Sequence, residues 1–103
     1  MAVEVRDNPQ ESRYEIRSDG ELAGFVTYGL HRDHITFIHT EIEPAYEGHG
    51  LGGQLASAVL DDARRRGLPV VPLCPFIAGY IRRHPDEYLS LIKPELQEQV
   101  ING

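Results

Sequence analysis

Tyr46-Glu47-Gly48-His49-Gly50-Leu51-Gly52-Gly53 decides how this chain reads, because it joins a strand-forming stretch to a helix-forming one. Upstream, Ile35 to Ile42 is rich in β-branched and aromatic residues, and Pro44 closes it. Downstream, Leu51, Leu55, Ala56, Val59, Leu60 and Ala63 recur at three- and four-residue spacing, which is one stripe of a helix. Glycines tolerate backbone angles that other residues resist, and they let main-chain N–H groups come close to a ligand. The first amides of a helix lack internal acceptors, and the helix dipole places about half a positive charge there. Phosphate oxygens answer both needs, so the turn is expected to bind an anion.

Working outward, Arg64, Arg65 and Arg66 suit the negative end of the helix, and Gly67 stops it. Leu68 to Cys74 follows as a short apolar strand. Pro69 and Pro72 cannot donate ladder hydrogen bonds, so this strand should pair incompletely or flank a gap in the sheet. Pro75 suits the first position of a second helix running to about Arg83. His84-Pro85 ends it, and Glu87 to Ile92 reads as a last short helical turn. On the other side, Val3 to Val5 reads as an edge strand, and Arg13 to Ser18 and Leu22 to Leu30 as a hairpin about Asp19-Gly20. His31 to Asp33 is a polar break. Simple alternation along Ile35 to Ile42 puts Ile38, Thr40 and Ile42 on one face and Phe37, His39 and Glu41 on the other.

The expected class is α/β (α+β). Mostly antiparallel N-terminal strands lead into a β-α-β crossover with a central parallel strand pair and a C-terminal helix, all one domain over residues 1–103. Such a crossover is right-handed, so the glycine turn and Cys74 both fall at the carboxyl ends of parallel strands. Ligands of open α/β sheets bind at that edge.

Composition narrows the partners. The chain has 103 residues, 41% hydrophobic and 25% charged, which fits a small soluble domain with the cytoplasm as its expected place. It has no apolar run near the roughly 20 residues of a membrane span, so no membrane partner is expected. Sixteen acidic residues against ten basic ones give a net charge of -6, which opposes nucleic-acid binding. The single cysteine, Cys74, excludes an internal disulfide, and no Cys or His pair completes a zinc-like set. No metal is expected.

Two familiar anion loops fail at this turn. Gly48, Gly50 and Gly53 fit the dinucleotide fingerprint, but the next strand, Val70-Val71-Pro72-Leu73-Cys74, carries no ribose-binding carboxylate. A nucleoside-triphosphate loop needs Gly-Lys-Ser/Thr, which is absent. What remains resembles the acetyl-coenzyme A turn of the GNAT superfamily of N-acetyltransferases, Arg/Gln-x-x-Gly-x-Gly/Ala. Gly50 and Gly52 stand at its glycine positions and Glu47 stands where Arg or Gln is usual. More narrowly, the chain resembles the small single-domain GNAT-like family with a His-Thr strand, this turn and a Cys-Pro-Phe segment. The matching stretches are His39 to Ile42, Glu47 to Gly53, Val71 to Phe76 and Tyr80 to Pro85. His84-Pro85-Asp86-Glu87-Tyr88 is one residue longer than the family's usual His-Pro-x-Tyr.

The resemblance implies an N-acetyltransferase whose co-substrate, acetyl-CoA, lies along Ile42, Glu47, Gly48, His49, Gly50, Leu51, Gly52, Gly53, Cys74, Tyr80 and Arg83. The acceptor is an amine, on a protein or a small molecule. Transfer needs a held thioester, a stabilised oxyanion and removal of a proton from the attacking nitrogen. Cys74, before Pro75 at a helix start, feels the positive helix end that favours thiolate, and is the first catalytic candidate. Glu41 and His39 are candidates for general base. Each has a plainer reading: Cys74 as a small buried hydrophobe, Glu41 as a solvated strand-end charge, His39 as a structural histidine. For Tyr80, which is off the superfamily's usual tyrosine position, core or rim packing is the plainer reading, and for Arg83 a complement to a helix end. Only a tight turn joins the first two long strands, where larger superfamily members insert helices that wall the acceptor site. An open acceptor groove follows. The rival function is a non-catalytic acyl-CoA-binding or interaction module on the same fold, motivated by Glu47 and the missing wall.

Overall fold

The computed structural model describes residues 2–103. Five strands form one sheet in the order β1-β2-β3-β4-β5: β1 Val3–Asn8, β2 Arg13–Ser18, β3 Glu21–Leu30, β4 Ile35–Ile42 and β5 Val70–Pro72. The first four pair antiparallel and β5 joins β4 in parallel. The expected parallel pair is therefore present, but it closes one edge of the sheet and is not central. The β2–β3 turn carries Asp19 at φ 51° and Gly20 at φ 85°. Two successive left-handed residues match the twist of a two-residue hairpin.

Helix α1, Leu51–Arg65, buries Leu51, Leu55, Ala56, Val59, Leu60 and Ala63, the stripe that the spacing predicts. Each large aliphatic among them contributes about 2 kcal/mol by leaving water. They meet Tyr14, Ile16, Val26, Tyr28, Ile35 and Phe37 of the sheet. Gly67, at φ 69°, takes the left-handed position just past the helix end. Helix α2, Pro75–Arg83, packs against β4, β5 and α1. Then come α3, Pro85–Tyr88, a 3-10 turn at Leu89–Leu91, and α4, Pro94–Asn102. The core thus lies on one face of the sheet. The opposite face of β2, β3 and β4 carries Arg13, Glu15, Phe25, His39 and Glu41, and among the described residues no helix packs over it.

β4 departs from simple alternation. Thr27 faces His39 and Tyr28 faces Phe37, so Ile38 is an extra residue without a partner. This bulge shifts parity midway along the strand. Phe37 joins Ile35 in the core at 0% exposure, and Ile38 turns outward at 48%. The expected grouping is corrected at those two residues: Phe37, not Ile38, shares a side with Thr40 and Ile42.

The β4–β5 ladder is short. Its last pair is Phe37↔Pro72, with one further link from the Cys74 amide to the Phe37 carbonyl at 2.9 Å. Beyond it β4 continues to Ile42, paired with β3 alone, while the segment after β5 turns into α2. The sheet splits there. This is the incomplete pairing that Pro69 and Pro72 foretell, though the strand is three residues long and not seven.

Candidate functional site

At the split, a cleft of about 610 Å³ opens on the helix side. Its floor is the glycine turn and its far wall is α2. The turn is entered from a 3-10 segment, Pro44–Tyr46, pinned at both ends. The Glu43 amide donates to the Ala23 carbonyl at 2.7 Å, and the Tyr46 hydroxyl donates to Glu21 Oε2 at 2.9 Å. Gly48 and Gly50 take φ of 84° and 74°, and a side chain at either would meet nothing within 4 Å. Here glycine serves the backbone angle and not the space.

The helix start is bare. Gly50 is the N-cap, no side chain caps it, and no acidic residue stands in the first turn. Among the described residues, none of the amides from Gly48 to Gly53 has an acceptor within the protein. Six consecutive residues with acceptorless amides, all but Leu51 exposed or half-open, at the positive end of a 15-residue helix form a ready cradle for an anion. Phe76 limits it on one side, since its ring tip would lie 2.8 Å from a Cβ on Gly52. A side chain at Gly52 would therefore need the Phe76 ring to move aside.

Most residues expected to touch a coenzyme come together here. Ile42, Glu47, Gly48, Gly50, Leu51, Gly52 and Gly53 line the cleft, and Tyr80 and Arg83 close it from α2. His49 does not line it; it is exposed on the outer side of the turn. Cys74 is not in the wall either. It is buried at 2% exposure, and its sulfur lies 3.2 Å from Thr40 Oγ1, which does face the cleft. Thr40, Tyr46, Phe76 and His84 also line it without having been singled out from sequence. For Thr40 the signal was present: once Ile42 is placed at the turn, period-two alternation puts Thr40 beside it.

His39 and Glu41 stand on the other face of the sheet, both more than half exposed, with His39 Nε2 3.3 Å from Glu41 Oε1. Phe25 lies beside His39 at 6.4 Å between ring centroids, and Arg13 stacks over Phe25 at 4.7 Å. The cleft and the two candidate bases are therefore separated by the thickness of one sheet, at the place where it is split. Chemically, the arrangement offers anion-binding amides on one side and a carboxylate–imidazole pair on the other.

A second polar cluster sits at the far end of α1. The Tyr14 hydroxyl donates to Asp62, and Tyr28 donates to Asp7 at 2.6 Å. Arg66 reaches Tyr14, Asp7 and Asp62. Burial first, then the Asp7 carboxylate, pushes Tyr28 up to about 12, and burial and Asp62 push Tyr14 higher. Asp62 is held below the usual carboxylate range: its burial opposes this, but the Tyr14 hydroxyl, Arg65 and Arg66 prevail.

Comparison with known proteins agrees with the geometry. Residues 13–91 match a family described as GCN5-related N-acetyl-transferase. The chain is similar to Protein NATD1 of Homo sapiens, 35% identical over 95 residues that cover 89% of this chain and 84% of that protein. Protein NATD1 of Gallus gallus is also 35% identical over 95 residues, 89% of this chain and 86% of its own. The crystal structure of the ribosomal-protein-S18-alanine N-acetyltransferase from Escherichia coli shares the fold, with a TM-score of 0.54 and 24% identity. That match covers 56% of this chain and 38% of the enzyme's. Among the described residues no helix is long and apolar enough to cross a membrane.

Proposed function

The chain belongs to the GCN5-related N-acetyltransferase family, and on that premise we propose that it moves an acetyl group from acetyl-CoA to an amine. The observation that carries this reading is the run of acceptorless amides from Gly48 to Gly53, all but His49 belonging to residues that line a cleft ending where β4 and β5 part. The diphosphate sits on those amides. The pantetheine arm follows the free edge of β4, whose unpaired backbone groups suit its two amides. Tyr80 and Arg83 flank the nucleotide end.

The thioester then lies in the split, near Thr40 and Cys74. The acceptor approaches from the outer face, where Glu41, helped by His39, takes the proton from the amine as its nitrogen bonds to the acetyl carbon. When the carbon–sulfur bond breaks, the departing thiolate receives the Cys74 proton by way of the Thr40 hydroxyl, and Cys74 is reprotonated from solvent. The products are an amide and free coenzyme. Glu41, His39 and Cys74 thus have distinct roles on two sides of one gap.

One observation favours a second reading, an acyl-CoA-binding module without turnover: Glu47 lines the cleft with a carboxylate, close to where phosphate must sit. The two separate by experiment. Acetyl-CoA should bind by calorimetry, and coenzyme release in the presence of amines should fall about a hundredfold or more in Glu41→Gln. Binding with no release from any amine leaves only the module. No binding at all removes both.

A further inference from the structure

We propose that the acceptor is a polypeptide lying across the uncovered face of the sheet, its amine at Glu41 and an acidic side chain about three residues further on. The inference rests on the transfer reading and names its substrate class.

The face is graded in charge across the strands. Phe25 pairs with Glu41 on one side and Glu15 on the other, so these three residues form one row from β4 to β2. At the β4 end the carboxylate of Glu41 has only His39 beside it. At the β2 end Glu15 is buried and fully engaged, accepting from Arg13 at 2.8 Å, Arg17 at 3.0 Å and Asn8 at 3.2 Å. Two guanidiniums share that one carboxylate, which leaves the β2 end net positive. Arg17 remains 42% exposed. An amine cation therefore belongs at β4 and an anion at β2.

Spacing fixes the rest. Two strand separations span about 10 Å, and an extended chain advances about 3.3 Å per residue, so three residues join the two ends. Phe25 lies midway, half-buried and covered by the Arg13 guanidinium, so a passing peptide meets that cation and not bare aromatic surface. Next to the split, Ile38 and Leu73 are exposed at 48% and 65%, one step beyond the last ladder pair, and form an apolar lip for the residue next to the amine. A small free amine would meet the Glu41 end alone and leave the β2 end and the lip unused.

The test is coenzyme release at fixed acetyl-CoA with alanine amide and three pentapeptide amides whose fourth residue is Asp, Ala or Lys. The Asp peptide should exceed the Lys peptide about fivefold in kcat/KM, and alanine amide should be poorer than both. Arg17→Ala should level the Asp and Lys peptides, and Arg17→Lys should keep their order. Alanine amide matching the best peptide would overturn the proposal in favour of a small-molecule acceptor. So would a flat peptide series in the wild type, or an order unchanged in Arg17→Ala. If coenzyme binds but no amine, large or small, is modified, the transfer reading falls with it.

Discussion

The two ends of α1 are opposites. At its C-terminal end nearly every polar group is engaged: Tyr14, Tyr28, Asp7, Asp62 and Arg66 bind one another beneath β1. At its N-terminal end six amides have no acceptor, no side chain caps the helix, and no acid answers the dipole. A helix normally gains about 1 kcal/mol from an N-cap side chain. Here that gain is forgone at the end that borders the glycine-turn cleft and recovered at the other, where the polar side chains satisfy one another. One end secures the fold, and the other leaves its donors unanswered within the protein.

This contrast can be broken at either end. The largest effect is expected from Gly50→Asp, which places a carboxylate where a phosphate would sit. Acetyl-CoA affinity by calorimetry should drop about a hundredfold, or about 2.7 kcal/mol, while folding changes by about 1 kcal/mol from the left-handed backbone. Unaltered affinity would remove the cradle from the argument.

Next in size is Tyr14→Phe. Asp62 loses its hydroxyl donor, and unfolding in urea should show a loss of about 1–3 kcal/mol with coenzyme affinity unchanged. The pH profile has a definite sign. Asp62 has a folded pKa below its unfolded one, so its share of stability is present above the unfolded value, near 4, and disappears as pH falls through the folded one. Tyr14 and Tyr28 are raised, so their share is full below about 10 and is lost as pH climbs through their folded values, about 12 for Tyr28. The gap between wild type and Tyr14→Phe should therefore be widest at neutral pH and narrow toward both extremes. A gap independent of pH would refute the assignment.

The smallest effect is expected from Glu47→Gln. Removing an exposed carboxylate beside the cradle should tighten acetyl-CoA binding about two- to fivefold at low salt, and the gain should shrink as salt is added. Weaker binding would mean that Glu47 holds the coenzyme and does not repel it.

Much of this was legible in the residues. The α1 stripe, the Asp19-Gly20 hairpin, the limits of β4 and the Pro75 helix start follow from local rules and appear as expected. Helix α4 was passed over, although Pro94 followed by Leu96 and Val100 at a four-residue spacing carries the same kind of signal. The bulge at Ile38 was not readable, because it depends on register against β3, a fact about two strands and not one. That His39 and Glu41 would face away from Thr40 and Ile42 was readable from alternation, whereas Cys74 sitting behind Thr40 depends on how the segment after β5 meets β4. The glycine turn was readable because its character resides in backbone shape, which glycine and its neighbours announce. Side-chain roles depend on what lies opposite, which a single stretch does not contain.

The unpaired Ile38 makes β4 two half-strands of opposite phase, joined at one residue. Ahead of it, odd-numbered positions point inward and fill the interior; past it, even-numbered positions do. Taking that residue into the ladder as an ordinary paired position would leave Phe37 where it is and turn the remainder of the strand over, bringing His39 and Glu41 to the helix side and sending Thr40 and Ile42 outside. A single amino acid thereby sets which chemistry each surface of the sheet presents, without itself touching any reacting atom.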